Sequence, residues 1–159
     1  MFQYCLFDLD GTLTDPGEGI TRCVQYAFRS LGIEEPDPFV RKILKRFDIE
    51  KYFDVIVGSE LDGARSTKEE VVKEALCRLA AFGLNEGEKK ALCAMIGDRK
   101  FDIQGARAHG LTGVGVRFGY APEGELEAAG ADYIADTVEE LEDFLMGTEN
   151  SPARRNESA

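Results

Sequence analysis

The chain has 159 residues, 43% of them hydrophobic, enough for one domain with a buried core. Its 19 Lys and Arg stand against 30 Asp and Glu, a net charge of −11 that repels nucleic acid and anionic membranes, and would repel phosphorylated ligands unless a cation sat among the acids. No apolar run can cross a membrane and the first residues read as a strand rather than a leader, so the expectation is a cytoplasmic protein whose four dispersed cysteines, Cys5, Cys23, Cys77 and Cys93, are reduced core residues without zinc or CxxC spacing.

In chain order, Phe2 to Phe7 reads as a strand. Glu18 to Leu31 reads as a helix, with Ile20, Val24, Ala27, Phe28 and Leu31 on one face and Gly32 closing it. The two prolines of "EEPDP" (34 to 38) break the chain before a second helix, Phe39 to Phe47, whose inward residues are Phe39, Val40, Ile43, Leu44 and Phe47. "FDVIVGS" (53 to 59) predicts a short apolar strand, and "STKEEVVKEALCRLAAFG" a helix closing on Gly83. "ALCAMIGD" then reads as a strand, "DIQGARAHG" as a short helix, "TGVGVRFG" as a strand, "EGELEAAG" as a helical turn or two, "ADYIAD" as an edge strand and "TVEELEDFLM" as a final helix. Strands alternating with helices predict an α/β domain: a Rossmann-like parallel sheet with helices on both faces over residues 1–146. The polar tail, 147–159, predicts disorder.

The chemistry gathers at strand ends. Asp8 and Asp10 follow the first strand two residues apart, so in an extended chain they share one face while Leu9 turns away. Gly11 permits a sharp turn close to a ligand, and Thr12 offers a hydroxyl there. The "LCAMI" run repeats the arrangement, ending in Gly97 and Asp98. In open parallel sheets the crevice beyond the carboxyl ends of the strands is where ligands bind. Three carboxylates converging there need neutralising, and hard oxygen donors point to Mg²⁺. A calcium loop does not fit, because that pattern wants a carboxylate or amide where Thr12 stands and Glu where Gly19 stands. In "TKEE", Thr67 and Glu70 form a capping box that puts Lys68 at the first helical position, where the helix dipole disfavours a cation. That misfit suggests an anionic partner; the alternative is a solvated lysine. His109 reads as the end of a short helix before Gly110, Arg99 as facing solvent or a carboxylate, and Arg41, Lys42, Lys45 and Arg46 as a solvated helix face.

"FDLDGTLTD" with the downstream "IGDRKFD" resembles the haloacid dehalogenase (HAD) superfamily of aspartate-nucleophile phosphohydrolases. The likeness extends through "YFDVIVGSELDGARSTKEEVV", "CAMIGDRKFDIQGARAHGLTGVGVRFGY" and "EAAGADYIADTVEELEDF", and is to the phosphoglycolate phosphatase-like and 5'-nucleotidase-like branch. The resemblance implies an Mg²⁺-dependent phosphatase with a HAD-like core acting on a small phosphorylated metabolite such as phosphoglycolate or a nucleotide. It implies Asp8 as the nucleophile forming an aspartyl-phosphate, Asp10 as general acid and base, and Lys68 as the cation of the third motif. Mg²⁺ would be held by Asp8, the Asp10 carbonyl and Asp98, with Asp102 bracing the site. Gly11 and Thr12 would seat the phosphate.

The sequence also departs from this family. The second motif, a Ser or Thr ending a strand between the first strand and "FDVIVG", has no counterpart, and only the Glu18 to Leu31 helix (about 17–35) is left of a cap. A continuous block is missing, with the join near Glu35 and Pro36. The consequence is either a weakened phosphatase or a catalytically impaired Mg²⁺- or phosphate-binding remnant. A response-regulator-type phosphoacceptor is disfavoured, because the late strand offers Arg117 where that fold wants a lysine. If "FDVIVGS" moved beside the first strand, Ser59 would become a replacement hydroxyl for the phosphate.

Overall fold

The structure is a computed structural model and describes residues 1–15, 37–59, 65 and 67–148, with the side chains of 37–39, 86 and 90 left aside. The expected cap helix Glu18 to Leu31, Cys23, the join near Glu35 and Pro36 and the tail beyond 148 lie outside the described residues.

Four strands form a parallel sheet among the described residues: β1 (Tyr4–Phe7), β2 (Cys93–Gly97), β3 (Thr112–Val116) and β4 (Tyr133–Ala135), in spatial order β1-β2-β3-β4. The helices are α1 (Asp37–Arg46), α2 (Lys68–Leu79), the single turn α3 (Lys89–Leu92), α4 (Lys100–Ala108), α5 (Glu125–Ala129) and α6 (Val138–Met146). The predicted α/β class is the observed one.

Alternation along β2 builds the core. Cys93 and Met95 point to one face, where Val72, Leu76 and Leu79 of α2 and Ala106 of α4 pack on them. Ala94 and Ile96 point to the other, with Val114, Val116, Tyr133, Ala135 and Leu141 of α6. Both faces of β2 and β3 are covered, which is why every residue of these strands is buried rather than every second one.

Three expectations fail. Phe53–Ser59 has no strand partner among the described residues: Arg78 Nη1 donates to the Ile56 carbonyl at 2.8 Å and Arg65 Nε to the Gly58 carbonyl at 2.8 Å, so arginines take backbone acceptors that a ladder would have used. The segment has not moved beside β1, which pairs only with β2 among the described residues. Cys5 and Cys77 are exposed, so Cys93 alone of the three described cysteines is a core residue; burial pushes its thiol up to about 11. Finally, Phe47 follows the last turn of α1 and is exposed, while Leu44 of that helix is buried.

Candidate active site

The crevice is assembled by pairing two strands in register. Phe7 of β1 lies opposite Ile96 of β2, and the Asp8 amide continues the ladder by donating to the Ile96 carbonyl at 2.8 Å. Asp8 and Asp98 therefore leave neighbouring strands at one end of the sheet. After Asp8 the chain folds tightly: Leu13 and Thr14 amides donate to the Leu9 carbonyl, and the Gly11 amide to Thr14. Gly11 has φ +84°, and a Cβ there would sit 2.3 Å from Asp98 Oδ2, so the loop reaches the second strand end only with glycine at this position.

A third loop completes the cradle. Gly119, after β3, approaches so closely that a Cβ would lie 2.2 Å from Asp98 Cβ. The next amide, Tyr120, donates to Asp98 Oδ2 at 2.8 Å, and the Tyr120 hydroxyl donates to Asp15 at the exit of the Asp10 loop. Gly119 and Tyr120 were not anticipated; their only trace in the sequence is a glycine just past a strand, in "RFGY".

Lys68 is the first residue of α2, capped by Thr67 and Glu70 in the predicted capping box. Its ammonium donates to Asp8 Oδ1 and lies 2.8 Å from Asp102 Oδ1. The helix dipole costs a cation here about 0.3–1 kcal/mol; two carboxylates at contact distance outweigh that. Burial works against the charged amine, yet Asp102 and Asp8 together raise its pKa, so Lys68 stays protonated. Asp102 is 2% exposed, and its second oxygen accepts from the Arg99 amide at 3.0 Å, which fastens it to the start of α4. Arg99 itself turns to Glu125, Nε to Oε1 at 2.8 Å, the carboxylate outcome anticipated for it.

Carboxylate oxygens of Asp8, Asp98 and Asp102 lie within 4.8 Å of one another. With Asp98 Oδ2 held by Tyr120, its Oδ1 is buried and has no hydrogen-bond partner, although the residue is only 1% exposed. An orphaned, buried, hard oxygen beside a second carboxylate is what a divalent cation would satisfy, so the residues fit Mg²⁺. Burial first, then the nearby Asp8 charge, raise the Asp98 carboxyl above its ordinary range, opposed by the Tyr120 amide.

The other predicted residues fall as follows. Asp10 is exposed at the crevice rather than among the three clustered carboxylates. The Thr12 hydroxyl is buried beside it in the loop and lacks a partner. Ser59 is exposed and lines the same cavity as Asp8 and Lys68, but on a segment that forms no strand. His109 caps the end of α4, its Nε2 2.9 Å from the Glu69 carbonyl, away from the acids. On α1, Arg41 and Lys45 pair with Glu50 at the surface.

The carboxylates at the strand ends and the lysine at the start of α2 form one crevice, and comparisons narrow its class. Residues 67–141 match the HAD-hydrolase-like family. The chain is 31% identical over 197 aligned positions to a 5'-nucleotidase of Pseudomonas aeruginosa, covering 77% of this chain and 86% of that protein. It is 32% identical over 118 residues to the tyrosine-protein kinase PtkA of Mycobacterium tuberculosis, covering 73% of this chain but only 38% of that longer protein. A predicted phosphatase from Clostridium acetobutylicum superposes with a TM-score of 0.75 at 27% identity, over 92% of this chain and 99% of that one. The chain belongs to the haloacid dehalogenase-like hydrolases. The 197-position alignment is longer than this 159-residue chain, so the nucleotidase carries residues that have no counterpart in it.

Proposed function

We propose that the protein hydrolyses small phosphomonoesters through an aspartyl-phosphate on Asp8, with Mg²⁺ as cofactor. The observation that supports this most is the meeting of Asp8, Asp98 and Lys68 at the ends of two paired parallel strands. Asp8 attacks phosphorus with a carboxylate oxygen; the Asp8–phosphorus bond forms as the bond to the leaving oxygen breaks. Asp10 gives its proton to that oxygen. Burial, and then the Asp8 charge, raise the Asp10 carboxyl above its ordinary range, which favours the acid form needed for this step. Asp10 then takes a proton from water, whose oxygen attacks phosphorus and releases Asp8.

Lys68 holds the nucleophile in place and neutralises phosphate oxygens, while Asp102, fixed to the start of α4, holds Lys68. Thr12 and the Gly11 turn seat the phosphate, whereas Ser59 lines the cavity on the segment that has not joined the sheet. Asp8, Asp98 and the Asp10 carbonyl would hold Mg²⁺, which when bound would supply the positive charge that lets a carboxylate approach an anionic phosphate.

The deciding assay measures phosphate release from p-nitrophenyl phosphate with Mg²⁺ and with EDTA, in wild type and Asp8→Asn. The expected result is turnover that both EDTA and the substitution abolish. Full activity in either case would sink the mechanism. No turnover in wild type, with Mg²⁺ still binding, would instead support the impaired remnant, a reading favoured by β1 having one unpaired edge among the described residues.

A further inference from the structure

A cavity of about 760 Å³ opens from Asp8, Asp10 and Lys68 and runs along the edge of β1 that faces away from β2. Its far wall is the segment Phe53–Val57 with Ser59, and its floor reaches Val72, Leu79 and Met95 of the core. The size is that of a small-molecule site, and continuity with the crevice means that an ester bound at Asp8 must place its leaving group in or beside it.

The walls are mostly apolar: Leu13, Val40, Phe53, Val71 and the rings of Tyr52 and Phe101. Tyr52 and Phe101 are 73% and 53% exposed; Lys51 Nζ and Lys100 Nζ lie 5.4 and 5.3 Å from their ring centroids, and the rest of the aromatic surface is left for a ligand to cover. Charge narrows the choice further. Among the described lining residues Lys68 is the one Lys or Arg, and Asp8 and Asp102 already engage it. The charged groups otherwise lining the cavity are Asp8, Asp10 and Asp54, in a chain of net charge −11. A phosphate brings its own claim on Lys68. Lys51 and Lys100 stand over the rings at the exposed rim; deeper, among the described lining residues, a second anion on the leaving group would find carboxylates and no second cation.

Resting on the phosphatase reading above, we infer that the preferred substrates are phosphomonoesters with an uncharged, largely apolar leaving group, and that phosphorylated carboxylic acids such as phosphoglycolate are selected against.

Three esters of primary alcohols test this with similar bond chemistry: 2-phenylethyl phosphate, ethyl phosphate and phosphoglycolate. Burying the phenyl group should raise kcat/KM for the first about tenfold or more over ethyl phosphate, mainly through KM. Phosphoglycolate should fall at or below ethyl phosphate. Val57→Arg, placing a cation in the wall, should narrow the gap between phosphoglycolate and ethyl phosphate. Equal kcat/KM for phenylethyl and ethyl esters, or a preference for phosphoglycolate, overturns the inference; that result is also expected if another chain segment or a second copy of the protein fills the cavity. Calorimetric binding of 2-phenylethylphosphonate against ethylphosphonate separates the two claims. Absent turnover with tenfold tighter binding of the aromatic phosphonate removes the phosphatase reading and keeps the apolar subsite; turnover with equal phosphonate binding does the reverse.

Discussion

Lys68 joins the two acidic ends of the site more directly than any other described side chain. It sits between Asp8, which must be free to attack, and Asp102, which is 2% exposed and cannot be left charged without a partner. Removing one member of a buried ion pair costs about 3–5 kcal/mol, because the survivor keeps its desolvation penalty. Lys68 retains 24% of its side-chain exposure, so the low end applies: Lys68→Met is expected to lose about 3 kcal/mol of stability, read by urea unfolding, along with nearly all turnover. Replacing both partners by apolar residues, as Lys68→Met with Asp102→Leu, should recover part of that stability and none of the activity. A double variant as unstable as the single one would show that the pair is not what holds α2 to α4. The sign on the alkaline side follows from the raised pKa of Lys68: the pair's contribution is complete below the ordinary lysine value and disappears as pH climbs through the folded-state value.

Whole elements show what the sequence could and could not reveal. β1 and β2 were legible because each is a continuous apolar run followed directly by an aspartate. Thr67, Lys68 and Glu70 were legible because a capping box is local chemistry within four residues. Phe53–Ser59 was misread for the opposite reason. Its composition is that of a strand, but a strand exists only with a neighbour, and here Arg65 and Arg78 reach its carbonyls instead. Cys5 was misplaced because an edge strand leaves exposed what a central strand would bury. Gly119 and Tyr120 were invisible because their importance lies in meeting Asp98 and Asp15, which are 22 and 105 residues away from Tyr120 along the chain. The crevice these elements form also sets a pH dependence. Asp10 and Asp98 have raised carboxyl pKa values, so the folded state holds protons that the unfolded chain releases, and stability from this source falls as pH rises from the ordinary carboxylate range through the raised values. Mg²⁺ requires those groups deprotonated. Saturating Mg²⁺ should therefore raise Tm by a few degrees at pH 8, equivalent to roughly 1–3 kcal/mol, and by much less at pH 5. Asp98→Asn should remove the gain. An equal gain at both pH values, or one that survives Asp98→Asn, would place the cation elsewhere.

At the scale of the molecule, a net charge of −11 surrounds a site whose ligand is itself anionic. Lys68 cannot reverse that field, being paired with two carboxylates, and Arg99 is paired with Glu125 and Arg117 with Glu127 and Asp136. Neutralisation by Mg²⁺ acts within the crevice, whereas the remaining acids act at long range, where ionic strength decides their reach. The screening length is roughly 30 Å at 0.01 M salt and about 8 Å at 0.15 M. Raising NaCl across that interval, at fixed saturating Mg²⁺, should thus weaken the repulsion of an incoming phosphomonoester dianion and increase kcat/KM by a few-fold, expressed as a lower KM with kcat nearly constant. Enzymes that draw anions through a cationic funnel behave in the opposite way, losing kcat/KM as salt rises. A marked fall over the same range would mean that residues outside those described here supply such a funnel, and that the acidic composition does not govern how substrate reaches Asp8.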